Sequence, residues 1–434
     1  MNPPRNPPNI SLILTDPRNS SCILSPATGR IAEDFNKKHL HWTEVRLRDT
    51  SDIDPDIVWA RMKLSRKDSA HVLNFGSFQI QYNITNDIQR QLHRIDTLPS
   101  TGYLIIDPLY SRMYDEFSIN CIMEESIASS QIEGADTSSD CAKNILRKNS
   151  KPQNLSERMI VNNYRAMQTV VSKKDETLTK DLILDIHKYV TYGTIDNEYS
   201  GKFRTDNNIV VSDPSDGTIY YTPIDSNEIE STIDSLCTFI NDDEEFIHPV
   251  IKGIILHFMI AFIHPFQDGN GRVARTLFYW YMLRKGYSHI EYLSISKYIK
   301  SHRGRYSDAY QLSETDDNDV TYFLKFNLDV IEEAIDNLPD IIGSFSSDFD
   351  FGPMDLDINH RQKNIISCII NEKQDISVEY IMNRYGVSKN TARSDIRKLI
   401  ESGILTNSGK DGHRVLYSIS DDFSIKSESD SEKE

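Results

Sequence analysis

Cysteine is scarce in this chain and badly spaced for chemistry. Its five cysteines, Cys22, Cys121, Cys141, Cys237 and Cys368, are scattered, and no two have metal-ligand spacing. That excludes a disulfide framework and a cysteine-bound zinc site, and it suits a reducing compartment. A long apolar run is missing too. The longest, residues 250–263, contains Lys252 and His257; it is too short and too polar to span a bilayer and is expected as a buried core helix. The first residues, Met1-Asn2-Pro3-Pro4-Arg5, lack the basic-then-apolar pattern of an export signal. These absences set the expectation of a cytoplasmic protein with no membrane partner. Positive charge is in deficit: 48 Lys and Arg stand against 65 Asp and Glu, a net charge of −17. Wholesale binding of nucleic acid or anionic membrane is thereby disfavoured, while a local basic patch is still allowed. No internal repeat is visible.

What is present is an ordinary globular composition, 38% hydrophobic and 26% charged over 434 residues, long enough for two to four domains. Residues 1–36 are rich in Pro, Asn and Ser and are expected to be irregular. Residues 37–116 mix short helical and extended patterns, with a helix fragment at 59–64, and read as an accessory region. From residue 117 the pattern is helical. Apolar positions Ile119, Ile122, Met123, Ile127 and Ile132 share a face, and Gly134 is placed as a helix stop. Further amphipathic helices are expected over 155–171 and 178–192. Two β-type runs, 208–211 and 218–221, flank Asp213-Pro214-Ser215-Asp216-Gly217 and predict a hairpin with a longer loop. Helices resume from 229 to about 285, then over 300–312, and from an N-terminal signal at 316–319 to about 337. Residues 343–358 read as a linker, 359–421 as a separate module, and 422–434 as a disordered charged tail. The expected class is mainly α.

One uninterrupted run carries the chemistry: His264-Pro265-Phe266-Gln267-Asp268-Gly269-Asn270-Gly271-Arg272-Val273-Ala274-Arg275. His264 ends the buried helix and is the run's only base near neutral pH. Gly269-Asn270-Gly271 opens the next helix. There the free N–H groups and the positive end of the helix dipole favour an anion, and glycine lets phosphate oxygens come close. Arg272 and Arg275 are three residues apart, so both can face that anion, and their forks suit phosphate. Asp268 is a hard oxygen ligand of the kind Mg²⁺ takes. Phe266 anchors the turn.

The run resembles the Fic-family signature, His-x-Phe-x-(Asp/Glu)-Gly-Asn-Gly-Arg-x-x-Arg, at every specified position. Gly201-Lys202-Phe203-Arg204 with the following hairpin resembles the segment around that family's flap, and residues 296–310 resemble its closing helix. The resemblance covers about 117–330, within an expected Fic domain at 117–342. It implies a Fic helical bundle that transfers AMP from ATP to a Ser, Thr or Tyr hydroxyl of a target protein. In that picture His264 deprotonates the hydroxyl and Asp268 holds Mg²⁺. Gly269, Asn270, Gly271 and Arg272 cradle the phosphates, and Arg275 takes the γ-phosphate. The hairpin, with Val210, Tyr220 and Tyr221, would receive an extended segment of the target; a plain surface excursion is the equal alternative. Self-association into a homodimer is a further family trait.

Ser129-Ser130-Gln131-Ile132-Glu133-Gly134 reads by itself as a helix end. It also matches the family's inhibitory motif, (Ser/Thr)-x-x-x-Glu-(Gly/Asn), with Ser129 and Glu133 in the named places, on a helix expected at 117–134. The resemblance implies that Glu133 pairs with Arg275 and keeps the γ-phosphate out. In some relatives the same glutamate supports removal of AMP.

Residues 376–420 resemble a winged helix–turn–helix: a helix at 378–385, a turn at Gly386-Val387, a second helix from Ser388 to Glu401, then a hairpin. Seven basic residues (Arg384, Lys389, Arg393, Arg397, Lys398, Lys410, Arg414) stand against four acidic ones over 376–419. Lys389, Arg393 and Arg397 recur every four residues and form one basic face. Its partner is DNA or a protein, in equal balance. A nucleotide-sensing DNA-binding regulator is therefore the alternative to the enzyme, and a Fic-fold enzyme moving another phosphate-containing group is a third.

Overall fold

The structure is a computed structural model and describes residues 4–98, 111–212, 219–348, 361–362, 365–366, 369, 375–385, 387–411 and 414–420. It is mostly helical and divides into two compact units, Met1–Tyr103 with Ser118–Asp340, and Leu104–Phe117 with Ile341–Glu434.

The N-terminal stretch is a correction. Helices Ile10–Thr15, Ser20–Ile23 and Pro26–Lys37 replace the expected irregular segment. The residues that read as breakers are caps. Asn9 accepts from the amides of Ser11 and Leu12, and Ser25 accepts from Thr28 with Pro26 in the first turn. These helices pack around the Pro55–Ser69 helix, where Trp59, Val58, Met62, Ala32 and Val45 make a small core. Buried charges join that layer to the later helices of its unit. Lys63 Nζ lies 2.6 Å from Asp316, His39 Nε2 lies 2.8 Å from Asp319, and Arg66 donates to the Tyr322 hydroxyl at 2.9 Å. Pairing matters because a buried charge without a partner is strongly destabilising. His71–Phe75 and Phe78–Tyr82 form an antiparallel pair beside it.

The helical bundle holds Leu155–Ser172, Lys180–Thr191, Ile229–Asn241, Pro249–Ile263 and Asn270–Arg284. Asn154 and Thr179 cap the first two by accepting from Glu157 and Leu182. Pro249–Ile263 is apolar nearly all round, as a helix at the centre of a bundle must be. Its one lysine, Lys252, donates to the Asp242 carbonyl and lies over the Phe239 ring. Asn270–Arg284 packs against it with Val273, Leu277, Phe278 and Trp280 buried. The expected single helix over 300–312 is two, Ile295–Ser301 and Arg303–Thr315. A further helix starts at Thr321 and runs to Asp348, so the first residues of the expected linker are helical despite Pro339. The rest of that linker and the expected tail lie outside the described residues.

In the second unit Val378–Tyr385 and Lys389–Glu401 are helices, with Ser388 accepting from the Thr391 amide as the second one's cap. Leu405–Asp411 pairs with Arg414–Ile419, and Ile376 adds a bridge to Tyr417. Ile381, Ala392, Ile396, Leu399 and Ile404 are in its core. Asp395 is buried and paired with Arg361 at 2.6 Å, so one of the module's few acidic groups is withdrawn from its surface.

Candidate active site

The Pro249–Ile263 helix ends because His264 turns left-handed, at φ 51° and ψ 56°. A non-glycine residue takes that conformation at some cost, and it is a common way to stop a helix. His264 Nδ1 lies 3.2 Å from the Ala261 carbonyl. A carbonyl only accepts, so Nδ1 carries the hydrogen and Nε2 keeps its lone pair. Burial pushes the imidazole below its usual range, and the Ala261 carbonyl opposes that shift. The ring is therefore a neutral base at pH 7 with Nε2 as the basic atom.

The turn after His264 is braced by its own side chains. Asn270 Oδ1 accepts from the Phe266 amide and its Nδ2 donates to the Phe266 carbonyl, both at 2.9 Å. The Asn270 side chain thus holds the turn, leaving its backbone amide for an anion. Phe266 is buried and stacks on His187, with ring centroids 3.8 Å apart. His187 accepts from the Gly201 amide at Nδ1 (2.9 Å) and donates from Nε2 to the Asp268 carbonyl (3.0 Å). Burial lowers its pKa to about 4, so it stays neutral. Gly269 caps the next helix at φ 87°, and a Cβ there would meet Thr191 at 2.9 Å. Only glycine fits that conformation and that space.

Asp268 projects outward with half its side chain exposed. One oxygen accepts from the Gly269 amide at 2.6 Å and the other from Arg272 Nη2 at 3.0 Å. Each oxygen keeps a lone pair, so the carboxylate fits a hard cation. No cluster of three His, Cys, Asp or Glu side chains occurs among the described residues. A Mg²⁺ ion would therefore draw most of its ligands from phosphate oxygens and water.

The two arginines of the run do not face one open anion site. Arg272 is fully buried; Nη2 holds Asp268, Nη1 donates to the Val190 carbonyl at 3.3 Å, and Nε has no partner among the described residues. Arg275 is turned to the Ser111–Ile132 helix. Its Nε donates to Ser129 Oγ (2.8 Å) and its Nη2 to the Ser129 carbonyl (2.9 Å) and to Glu133 Oε1 (2.8 Å). Three residues along a helix leave side chains about 60° apart, and each guanidinium has taken the acceptor nearest to it. Glu133 reaches into the cradle itself: a Cβ on Gly271 would lie 2.1 Å from its Oε1. Gly134, at φ 92°, ends the segment that carries it.

That helix is pinned one turn earlier. Glu125 is fully buried and accepts from the Tyr279 hydroxyl (2.9 Å), the Ser296 amide (2.8 Å) and the Ser296 hydroxyl. Behind Arg275, the Tyr306 hydroxyl bonds His257 Nε2 at 2.9 Å.

The hairpin forms, but shorter than the sequence implies: Val211–Ser212 pairs with Ile219–Tyr221, and Val210 lies exposed just before it. Tyr221 packs inward on Phe262, ring centroids 4.8 Å apart. Its neighbour Tyr220 lies in the strand, its side chain outside the described residues. At the foot of the hairpin the buried Arg204 bonds the carbonyls of His264, Asp206 and Ile224. The bonds from His187 to Asp268, from Arg204 to His264 and from Tyr306 to His257 carry no signal by spacing, since they join residues 81, 60 and 49 apart.

Residues 177–282 match the Fic/DOC family, and residues 361–408 match the DeoR-like helix-turn-helix domain. Two proteins named protein adenylyltransferase Fic are similar over 169 residues, 39% of this chain: that of Aedes aegypti at 30% identity and that of Culex quinquefasciatus at 32%. In both cases the match covers 30% of the relative, so this chain spans about a third of their length. Among solved structures, a Fic family protein from Desulfovibrio desulfuricans G20 superposes with a TM-score of 0.53 at 17% identity, over 79% of this chain and 99% of that one. Residues 134–508 of Fic-1 from C. elegans superpose with a TM-score of 0.51 at 18% identity, over 76% and 92%. Both are likenesses of fold.

Proposed function

We propose that this chain, whose residues 177–282 form a domain of the Fic/DOC family, is a protein adenylyltransferase held at rest by Glu133. The observation that carries the proposal is the bond from Arg275 to Glu133, 2.8 Å long, inside a cradle that begins at the residues beside His264. A carboxylate sitting where an anion would bind is what a self-inhibited phosphate site requires.

With Glu133 withdrawn, MgATP enters as substrate. The amides of Gly269, Asn270 and Gly271 face its phosphates at the helix N-terminus, and Arg275 takes the γ-phosphate. Asp268, held in place by Arg272 and the Gly269 amide, would hold a Mg²⁺ ion, which would neutralise phosphate charge. His264 Nε2 then removes the proton from a Ser, Thr or Tyr hydroxyl on a target segment beside the hairpin. The hydroxyl oxygen bonds to the α-phosphorus, the bond to the β-bridging oxygen breaks, and pyrophosphate leaves with the charge. While Glu133 holds Arg275, the triphosphate sits with its α-phosphate out of line.

The test is transfer of label from α-labelled ATP to lysate proteins. Glu133→Gly should raise it on the order of a hundredfold over the intact chain. Adding His264→Ala should remove it, and γ-labelled ATP should give none. Equal labelling by all three proteins would refute the proposal.

A second activity is supported by the second unit. Lys389, Arg393 and Arg397 are exposed on the Lys389–Glu401 helix, in a domain that matches the DeoR-like helix-turn-helix family. That face suits duplex DNA. In a salt titration of binding to a duplex, Arg393→Gln should reduce the slope of log affinity by about 1; absence of salt-dependent binding would leave a protein as its partner.

A further inference from the structure

We propose that Arg204 is the positioning residue that fastens the His264 turn to the hairpin, so that the base and the docked target segment form one rigid body. The inference rests on the functional roles given above to His264 and the hairpin.

Arg204 is 4% exposed, and its donors point in three directions. Nε donates to the His264 carbonyl at 2.8 Å, and the Arg204 amide donates to the Pro265 carbonyl at 2.9 Å. These two bonds hold the catalytic turn. Nη1 donates to the Asp206 carbonyl at 2.8 Å and to Asn207 Oδ1 at 3.3 Å, on the limb that leads into the hairpin. Nη2 donates to the Ile224 carbonyl at 2.5 Å, on the limb that leads out. All its acceptors therefore belong to the catalytic turn and the two feet of the hairpin, and none to a core helix.

The need for such a residue follows from the backbone. His264 has left the helix, so its carbonyl has no helical donor ahead of it. Arg204 supplies one, and because the guanidinium is planar with five N–H groups, the same side chain can reach both hairpin feet. A lysine has the charge but a single nitrogen. Nearer the surface a second strap joins the feet without touching the catalytic turn: Asn207 accepts from the Ser226 amide (2.7 Å) and donates to Asp225 (2.8 Å). The two straps allow the roles to be separated. Loosening the outer strap frees the hairpin alone, whereas loosening the inner one frees hairpin and base together. A shift of about 1 Å between base and target can cost on the order of a hundredfold in rate.

The experiment compares Arg204→Lys and Asn207→Ala, each in the Glu133→Gly chain, with two readouts. Amide hydrogen exchange follows residues 206–212, 219–225 and 264–266. Labelling of lysate proteins with α-labelled ATP gives the maximal rate and the KM for ATP. Arg204→Lys should speed exchange in all three segments and lower the maximal rate on the order of tenfold or more, with KM for ATP unchanged. Asn207→Ala should speed exchange in the hairpin feet alone. A maximal rate unchanged in Arg204→Lys would overturn the proposal, as would a rate loss matched by a rise in KM for ATP or exchange confined to the hairpin. If the Glu133→Gly parent transfers no label, the functional reading fails and exchange alone decides: joint acceleration supports Arg204's role, and acceleration in one segment refutes it. Should Arg204→Lys not fold, Asn207→Ala keeps the test open, since unaltered exchange in the feet would show that the straps do not hold them.

Discussion

Arg204, Arg272 and Arg275 lie buried in the first unit with each guanidinium committed to named acceptors, whereas Lys389, Arg393 and Arg397 of the second unit line an exposed helix face. The contrast is between two uses of positive charge. A buried fork chooses its partner by direction and distance, and removing that partner is costly because the charge stays behind. An exposed cation attracts any phosphate, weakly and less as the salt concentration rises. The first arrangement fits a site that must hold one group in one place. The second fits a surface that must attract an extended anion without fixing it.

Swapping arginine for lysine is the most direct way to break this comparison. In the Glu133→Gly chain, Arg275→Lys should cost at least about a hundredfold in label transfer, because lysine keeps the charge and loses the fork. Arg393→Lys should leave any DNA affinity within about twofold. Equal costs at the two positions would mean that geometry matters no more in one unit than in the other.

Burial in the first unit also predicts an acid weakness. His187 is held neutral with a pKa of about 4 because it is buried, while the unfolded chain takes up that proton near the ordinary histidine value of about 6.5. The unfolded state therefore binds more protons between those values. Stability is full above about pH 6.5 and is lost as pH falls toward 4, by roughly 2 to 3 kcal/mol from this residue. Denaturant unfolding at both pH values should show a smaller loss in His187→Gln, which cannot be protonated. The same slope in both proteins would remove His187 from the account.

The smallest effect tests how tightly the cradle is filled. Gly271→Ala would place a methyl carbon 2.1 Å from Glu133 Oε1, so Glu133 must leave Arg275. The substitution should cost about 1 to 2 kcal/mol in the intact chain and close to nothing once Glu133 is Gly. Equal costs in the two backgrounds would place Glu133 outside the cradle.

The site was legible wherever its residues are contiguous. The run from His264 to Arg275 announces a base, a carboxylate, an anion-binding helix start and two forks without any structure, and Ser129 with Glu133 is legible by resemblance. The orientation of Arg272 was not, because i and i+3 positions say that two side chains are neighbours and not which acceptors they take. Residues 1–36 misled for a related reason. Asn9, Ser25 and Pro26 are as good at starting helices as at breaking them, and the packing around Trp59 decides between the two. The hairpin is shorter than its β-type runs imply, pairing only Val211–Ser212 with Ile219–Tyr221 among the described residues. His187 was invisible as a functional group, being a common residue in an ordinary helix, and Arg204 was marked only as part of the segment before the hairpin, with no sign of its bond to His264.

By itself the sequence determined which chemistry this chain carries, since that depends on residue types at fixed short spacings along two helices and the turn between them. Tertiary structure alone decided which of the distant groups meet. Glu133 and Arg275 are 142 residues apart, Arg204 and His264 are 60 apart, and His187 and Asp268 are 81 apart. No local rule brings such groups within 3 Å; only the packing of the helices that carry them does, and with it comes the burial that fixes which groups are charged and which are free to react.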